Sequence, residues 1–548
     1  MKLPAKIYPL LLSSGVLLAS CGGGSSSSSS ASATPPAALQ PPASPLVRVS
    51  GPSPFSSQCG GALQGSTSYE NAEVEPYVAV NPLNPSNLIG VWQQDRWSDG
   101  GAHGLMAGYS MDNGKTWKTE PLVMSICAGG DSSNAADYAR ASDPWVTFSP
   151  TGTAYAISIS FSGESLTPTS AGGVLVTRST DGGATWGTAQ ALIVDGASAF
   201  DDKESITADP TDSNYVYAVW DRLTTDGYGP TYFSRTTDGG STWEAARAIY
   251  DPGFNNQTIG NVIVVTTSGT LVDAFVEYDN TGGNSTTATM KVIRSTDHGA
   301  TWSTPITVAQ SESVGVEDPN TGTWVRTASN LPQIATAPSN GLVMVWQDAR
   351  FNQGKHDGIV ISQSSDGGLT WSAPVEINTV HSVPAFTPSV AVLPDGTIGV
   401  SYFDFRNNTS DKARLLTDYW FVSSDDGVHW SEQHISGPFD LDLAPNAEGL
   451  FIGDYQSLGV IGNAFVPFYV QTNNEGTSNR NDTYTLPPQP VPLRVTRKVS
   501  YVAHTMPSAP PDAAFRQRTH ASIMRQLRGE NPGWDRILAE RRQRLNPP

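Results

Sequence analysis

One eight-residue phrase, repeated six times, constrains this chain more than any other feature. Its clearest copy is Ser179-Thr180-Asp181-Gly182-Gly183-Ala184-Thr185-Trp186; the others occupy residues 110–117, 236–243, 295–302, 364–371 and 423–430. Each copy follows a short apolar run and leads into another, which predicts the turn of a β-hairpin. The aspartates at the third position are Asp112, Asp181, Asp238, Asp297, Asp366 and Asp425. Each is expected to accept backbone N–H groups of its own turn. Glycine supplies positive φ there without steric cost, and the Ser and Thr hydroxyls satisfy further turn groups. The closing Trp offers a large apolar face for burial.

The six tryptophans, Trp117, Trp186, Trp243, Trp302, Trp371 and Trp430, stand 57 to 69 residues apart. That is room for four strands and their loops. The unit around Trp430 shows the plan. Residues 388–392 and 397–402 read as strands joined by Leu393-Pro394-Asp395-Gly396, 419–422 runs into the phrase, and a fourth strand follows Trp430. Residues 77–80 with 88–92, and 206–208 with 215–220, repeat the first pair. After the last copy, 451–458, 464–470 and 482–486 read as three strands of a seventh unit, which has no such phrase. Residues 46–49 can supply its fourth strand, because pairing the two chain ends in one sheet removes exposed edges.

The phrase is the Asp-box, and over roughly residues 46–490 the chain resembles sialidases and other Asp-box β-propellers. The resemblance implies an all-β propeller of four-stranded antiparallel blades, with the boxes on the face away from the active site. Sialidases imply six blades, whereas the repeat count here favours seven. The resemblance also implies three arginines holding a substrate carboxylate, a Tyr nucleophile paired with Glu, and an Asp as acid/base. The Phe/Tyr-Arg-Ile/Leu-Pro motif that carries the first family arginine is absent. Two classes therefore stand side by side. One is a sialidase-like glycoside hydrolase acting on extracellular glycans; the other is a non-catalytic propeller that binds glycan or protein.

Residues 1–21 read as an export signal, with Lys2 and Lys6 ahead of a short apolar run. It ends in Leu18-Ala19-Ser20-Cys21, which resembles a bacterial lipobox and implies cleavage before a lipidated Cys21. An ordinary cleaved signal is the alternative. Gly22 favours the outer membrane or cell surface. Residues 22–45, rich in Gly, Ser and Pro, form a tether, and 46–498 the propeller. Residues 499–548 form an Arg-rich, helix-prone tail, read as a helix on the propeller, a disordered tail or a partner-binding segment. The net charge of −19 repels nucleic-acid phosphate and leaves extracellular glycan or glycoprotein as the expected partner. Membrane contact is expected through the lipid alone.

Ligand groups belong on the face opposite the boxes. Arg96, Arg222, Arg350 and Arg406 follow second strands, beside Asp95, Asp221, Asp348 and Asp404. They can fork onto a carboxylate, or serve as scaffold ion pairs. Glu277 and Tyr278 occupy the matching place in the fourth unit. A second group precedes the innermost strands: Glu75, Asp143, Asp202-Lys203-Glu204 and Asp454-Tyr455. These suit acid–base work on a glycosidic bond, binding of a cation, or capping of strand ends. Asp143, Glu277, Tyr278 and Tyr455 are the catalytic candidates. No residue spacing suggests a metal or cofactor site. Cys59 and Cys127 can form one disulfide in an exported protein or remain as two thiols.

Overall fold

Short apolar runs ended by Gly, Asp, Asn or Pro fold as antiparallel strands, and the repeated phrase turns one strand back on the next. The computed structural model describes residues 45–61, 65–280, 286–473, 476–488, 501–502 and 511–530. The plan is all-β, a succession of four-stranded antiparallel sheets. The first contains Ser68–Val80, Leu88–Trp97, Ala102–Ser110 and Lys118–Leu122; the second contains Arg140–Phe148, Ala154–Ser162, Ala171–Ser179 and Gln190–Asp195. The next four open with Ala199–Ala208, Gln257–Val265, Gln333–Ala337 and Ala385–Val392. In the last, Ser457–Ile461, Ala464–Thr472 and Asn481–Thr485 are joined by Val47–Arg48, with Val47 opposite Thr485. Each opening strand packs on the opening strand of the next sheet, and Ser457–Ile461 packs back on Ser68–Val80.

Second-strand tryptophans Trp92, Trp220 and Trp346 are fully buried in the apolar layers of and between sheets. Burying a large apolar side chain of this kind stabilises by about 1.5–3 kcal/mol. One expected strand is broken. Residues 451–458 do not run straight: Leu450–Phe451 leaves to pair with Trp324–Arg326, and the next strand starts at Ser457. Gly453, at φ 129°, bends the chain between them so that Asp454 reaches Lys203. Val316–Glu317, Trp324–Arg326 and Leu450–Phe451 thus form a small additional sheet.

The repeated turns join third and fourth strands. In the second sheet Asp181 Oδ1 accepts from Thr185 N–H at 2.9 Å, its Oδ2 from Thr185 Oγ1 at 2.6 Å, and Ser179 Oγ from Gly183 N–H at 3.0 Å. Asp112, Asp238, Asp297 and Asp366 repeat this network. The sixth copy corrects the sequence reading. Asp426, not Asp425, accepts from His429 N–H at 2.7 Å and bonds Ser424, because this copy is one residue shorter between its Ser and its Trp. Asn87, in a first-to-second-strand turn, donates to Gly182 O of the neighbouring sheet's turn at 3.0 Å, so these turns share one face. Asp181 is exposed, so water partly replaces its lost bonds. Asp181→Ala is expected to cost only about 1 kcal/mol. A thermal melt should show the lower midpoint, with ligand binding or turnover per folded molecule unchanged.

Cys59 and Cys127 are disulfide-bonded. Ala513–Glu530 is an α-helix capped by Asp512, whose Oδ1 accepts from Phe515 N–H at 2.7 Å. It buries Phe515, Ile523 and Leu527, and Gln526 Oε1 accepts from Asn330 Nδ2 at 2.7 Å. Cys21, the linker to residue 44 and the tail beyond residue 530 lie outside the described residues.

Candidate functional site

The opening strands are not regular. Each of five carries a β-bulge with a left-handed residue: Glu75 at φ 54°, Asp143 at 51°, Lys203 at 48°, Gly260 at 72° and Thr387 at 47°. Pro76, Pro144 and Pro388 follow three of them, where a ladder N–H is not needed. A bulge re-aims its side chain, and left-handed backbone at a non-glycine costs on the order of 1–3 kcal/mol. That cost at Glu75, Asp143 and Lys203 accompanies a shared outcome. Their side chains meet.

Lys203 Nζ lies 2.7 Å from Asp454 Oδ2, 3.0 Å from Asp143 Oδ1 and 3.4 Å from Glu75 Oε1. Arg326 forks onto Asp454, with Nε 3.1 Å from Oδ1 and Nη2 2.6 Å from Oδ2. Arg96 donates to Gln93 Oε1 at 2.9 Å, and Gln93 donates on to Glu75. Arg96 and Arg326 both lie on the Phe451 ring, 5.0 and 4.5 Å from its centroid. Tyr455 OH donates to Pro144 O at 3.1 Å, and Trp145 stacks on Tyr77 at 3.6 Å. Glu75, Arg96, Asp143, Asp202, Lys203 and Arg326 line a narrow cleft with a cavity volume of about 50 Å³. The loop at Asp99–Gly101 also lines it, which puts the opening on the face away from the repeated turns.

Burial, then the nearby Asp143 charge, pushes the Glu75 carboxyl well above its usual range. Burial also opposes ionisation of Asp143, but Lys203 and a hydrogen bond from Glu75 outweigh it and hold Asp143 low. The two carboxyls therefore share one proton, on Glu75. Asp454 behaves like Asp143: Arg326 and Lys203 overcome burial and hold it far below the usual carboxylate range. Burial opposes the Lys203 charge, but Asp143, Asp454 and the other acids around it outweigh burial and raise Lys203. Glu204, without a side-chain hydrogen-bond partner, is pushed up by burial and by Asp143. Tyr455 is raised by burial and by Glu75 and Asp143. It therefore stays a phenol and lacks the activation a tyrosine nucleophile needs.

Of the residues singled out from sequence, Glu75, Arg96, Asp143, Asp202 and Lys203 line the cleft, whereas Tyr455 is buried beside them on Pro144 O and does not. Glu277 and Tyr278 do not pair. Adjacent on one strand, they face opposite sides: Glu277 binds Lys291 at 2.6 Å and Tyr250 OH at 2.5 Å, while Tyr278 sits in the apolar core. Arg222 is held by Asp195 and Asp201, Arg350 by Asp348 at 2.7 Å, and Arg406 by Asp404 and Glu432 at 2.6 Å each. These three are inter-strand or local ion pairs rather than a carboxylate fork. Arg326 and Phe451 escaped the sequence reading. The strand Trp324–Arg326 is an insertion between Trp302 and Trp371 that no repeat position marks. Among the described residues no group of three or more His, Cys, Asp or Glu is placed to hold a metal ion. Lys203 sits where a cation would bridge the carboxylates.

No protein-family model matches the chain, and no curated protein matches it. Solved structures do. A Hadza microbial sialidase is 18% identical over 61% of this chain and 64% of its own, with a TM-score of 0.40. A Fusarium graminearum α-L-arabinofuranosidase in complex with an iminosugar inhibitor is 13% identical over 60% of this chain and 88% of its own, TM-score 0.40. A Trypanosoma rangeli sialidase mutant displaying trans-sialidase activity is 14% identical over 82% of this chain and 59% of its own, TM-score 0.43. The chain thus spans less than two thirds of either sialidase. At these values the likenesses carry no function across, and what the cleft does follows from its own residues.

Proposed function

We propose that the chain is a seven-bladed Asp-box β-propeller that hydrolyses glycosidic bonds of extracellular glycans. Successive four-stranded sheets, with opening strands packed one on the next and the last back on the first, support the blade count. The observation that carries the chemistry is the placement of Glu75 and Asp143 in one cleft, both against Lys203 Nζ at 3.4 and 3.0 Å, where burial raises Glu75 and Lys203 holds Asp143 low. Two carboxyls with separated pKa values divide the labour of acid and base. Glu75 gives its proton to the leaving sugar oxygen while Asp143 takes one from water. The pair is hydrogen-bonded, closer than the roughly 5–9.5 Å between paired carboxyls of retaining and inverting glycosidases. It therefore works as one proton-sharing unit on one side of the bond. Arg96 supplies positive charge for an anionic sugar.

The alternative reading is a binding propeller. It is favoured by the mutual ion pairing of Lys203, Asp143 and Asp454, which leaves few groups free for a substrate. A panel of fluorogenic glycosides alongside a glycan array, on purified full-length protein, separates the two. Glycan binding without hydrolysis of any member would leave the binding reading.

Export and lipid anchoring through Cys21 belong to the same proposal. Cys21→Ser is expected to move the protein from the membrane fraction to the soluble one. A variant that stays on the membrane through a salt wash would rule the anchor out.

A further inference from the structure

Asp95 does not pair with its neighbour Arg96. From left-handed backbone at φ 64° its carboxylate turns to His103, which opens the third strand of the first sheet. His103 Nδ1 lies 3.1 Å from Asp95 Oδ2, and His103 Nε2 lies 3.3 Å from Ser68 Oγ. Asp95 is fixed from two more sides, by Asn71 N–H at 2.8 Å and Ser53 Oγ at 2.5 Å. Trp97 meets the imidazole edge-on at 5.1 Å. His103 and Asp95 are buried, whereas Ser68 is half-exposed. With Nδ1–H donating to Asp95, Nε2 is left to accept the Ser68 hydroxyl proton. Ser68, Asp95 and His103 come from three strands of one sheet, and none belongs to the Glu75 cluster.

The geometry points to a second active site, in which Ser68, His103 and Asp95 form a serine acyl-hydrolase centre for short-chain carboxylic esters. A buried acid, an imidazole oriented by it and an accessible hydroxyl are the roles such chemistry requires. The disulfide between Cys59 and Cys127 holds Gly60 beside the ring. A methyl group placed on Gly60 would sit 3.3 Å from His103 Cδ2 and 3.5 Å from Cys127 Sγ. Space beside the imidazole is therefore narrow, which suits an acetyl-sized acyl group. The amide N–H groups of Gly60 and Gly61 are committed to no acceptor among the described residues.

In the first half-reaction Ser68 Oγ bonds to the acyl carbon and its proton passes to His103 Nε2. The carbon–alkoxy bond breaks, and the alcohol leaves with that proton. Water then adds to the acyl-Ser68 carbon, giving its proton to His103. The bond to Oγ breaks, Ser68 recovers the proton, and a carboxylic acid departs. Asp95 is a positioning residue, stabilising the imidazolium without changing protonation.

The test uses full-length protein with 4-nitrophenyl acetate as substrate and a fluorophosphonate as active-site label, located by mass spectrometry. Label is expected on Ser68, with hydrolysis falling at least about 100-fold in Ser68→Ala. Ser68 is half-exposed, so that variant should fold; an unchanged thermal midpoint checks it. His103→Gln should lose both label and turnover. Label on other residues only, or equal hydrolysis by folded Ser68→Ala, would overturn the proposal.

Discussion

Glu75→Gln should cut glycoside turnover by about 10²–10⁴-fold while leaving KM nearly unchanged. The amide keeps the shape of the carboxyl and can still donate to Asp143, but it has no proton to give a leaving oxygen. Asp143→Asn should fall similarly, because the pair then lacks its base. The pH profile carries the sign. Glu75 acts as the neutral acid and its pKa is raised, so activity fails on the alkaline side, as pH climbs through that raised value. Asp143 acts as the carboxylate and is held low, so the acid limb lies below the ordinary aspartate range. Because the groups share a proton, both limbs belong to the pair rather than to either residue. Steady-state kinetics from pH 3 to 9 on both variants would decide. Equal turnover by wild type and Glu75→Gln would remove this pair from the chemistry.

Much of the fold was legible because turns have strict chemical needs. A Ser, an Asp two residues later and a Gly can be read wherever they recur, and their spacing counts strands. The sixth copy misled only because Asp425 and Asp426 are adjacent, and the Ser-to-Asp spacing rather than the Trp selects Asp426. Glu75, Asp143 and Lys203 could be found because each falls at the same repeat position, at the bulge of a sheet's opening strand. The fate of the arginines was less visible. Residues two apart near a strand end share a side, so Asp348 with Arg350 and Asp404 with Arg406 pair directly. Immediate neighbours do not: Arg222 turns to Asp195 and Asp201 on other strands, and Arg96 turns to the cleft. Arg326 lies in no repeat at all, so periodicity had nothing to say about it.

Lys203→Met should be the most damaging single substitution for stability, on the order of 3–5 kcal/mol at neutral pH. Met keeps much of the side chain's length and none of its charge. Three carboxyls within 3.4 Å of Nζ then lose their shared cation in a site where the lysine side chain is only 5% exposed. Arg326 still holds Asp454, so Asp143 and Glu75 bear most of the loss. In the wild type, Asp143 and Asp454 titrate below their unfolded values. Their contribution is full above about pH 4 and disappears as pH falls through the lowered values. In the variant, burial and mutual repulsion push the Asp143 carboxyl above its unfolded value, which reverses the slope. Stability then falls as pH rises past about 4. The gap between the two proteins should therefore be widest near pH 7 and narrow towards pH 4, as seen in thermal midpoints across that range. A constant offset at every pH would mean that Lys203 acts by packing alone. The same reversal bears on function: without Lys203 the Glu75–Asp143 pair keeps both protons at mildly acidic pH, and a pair with two protons has an acid but no base.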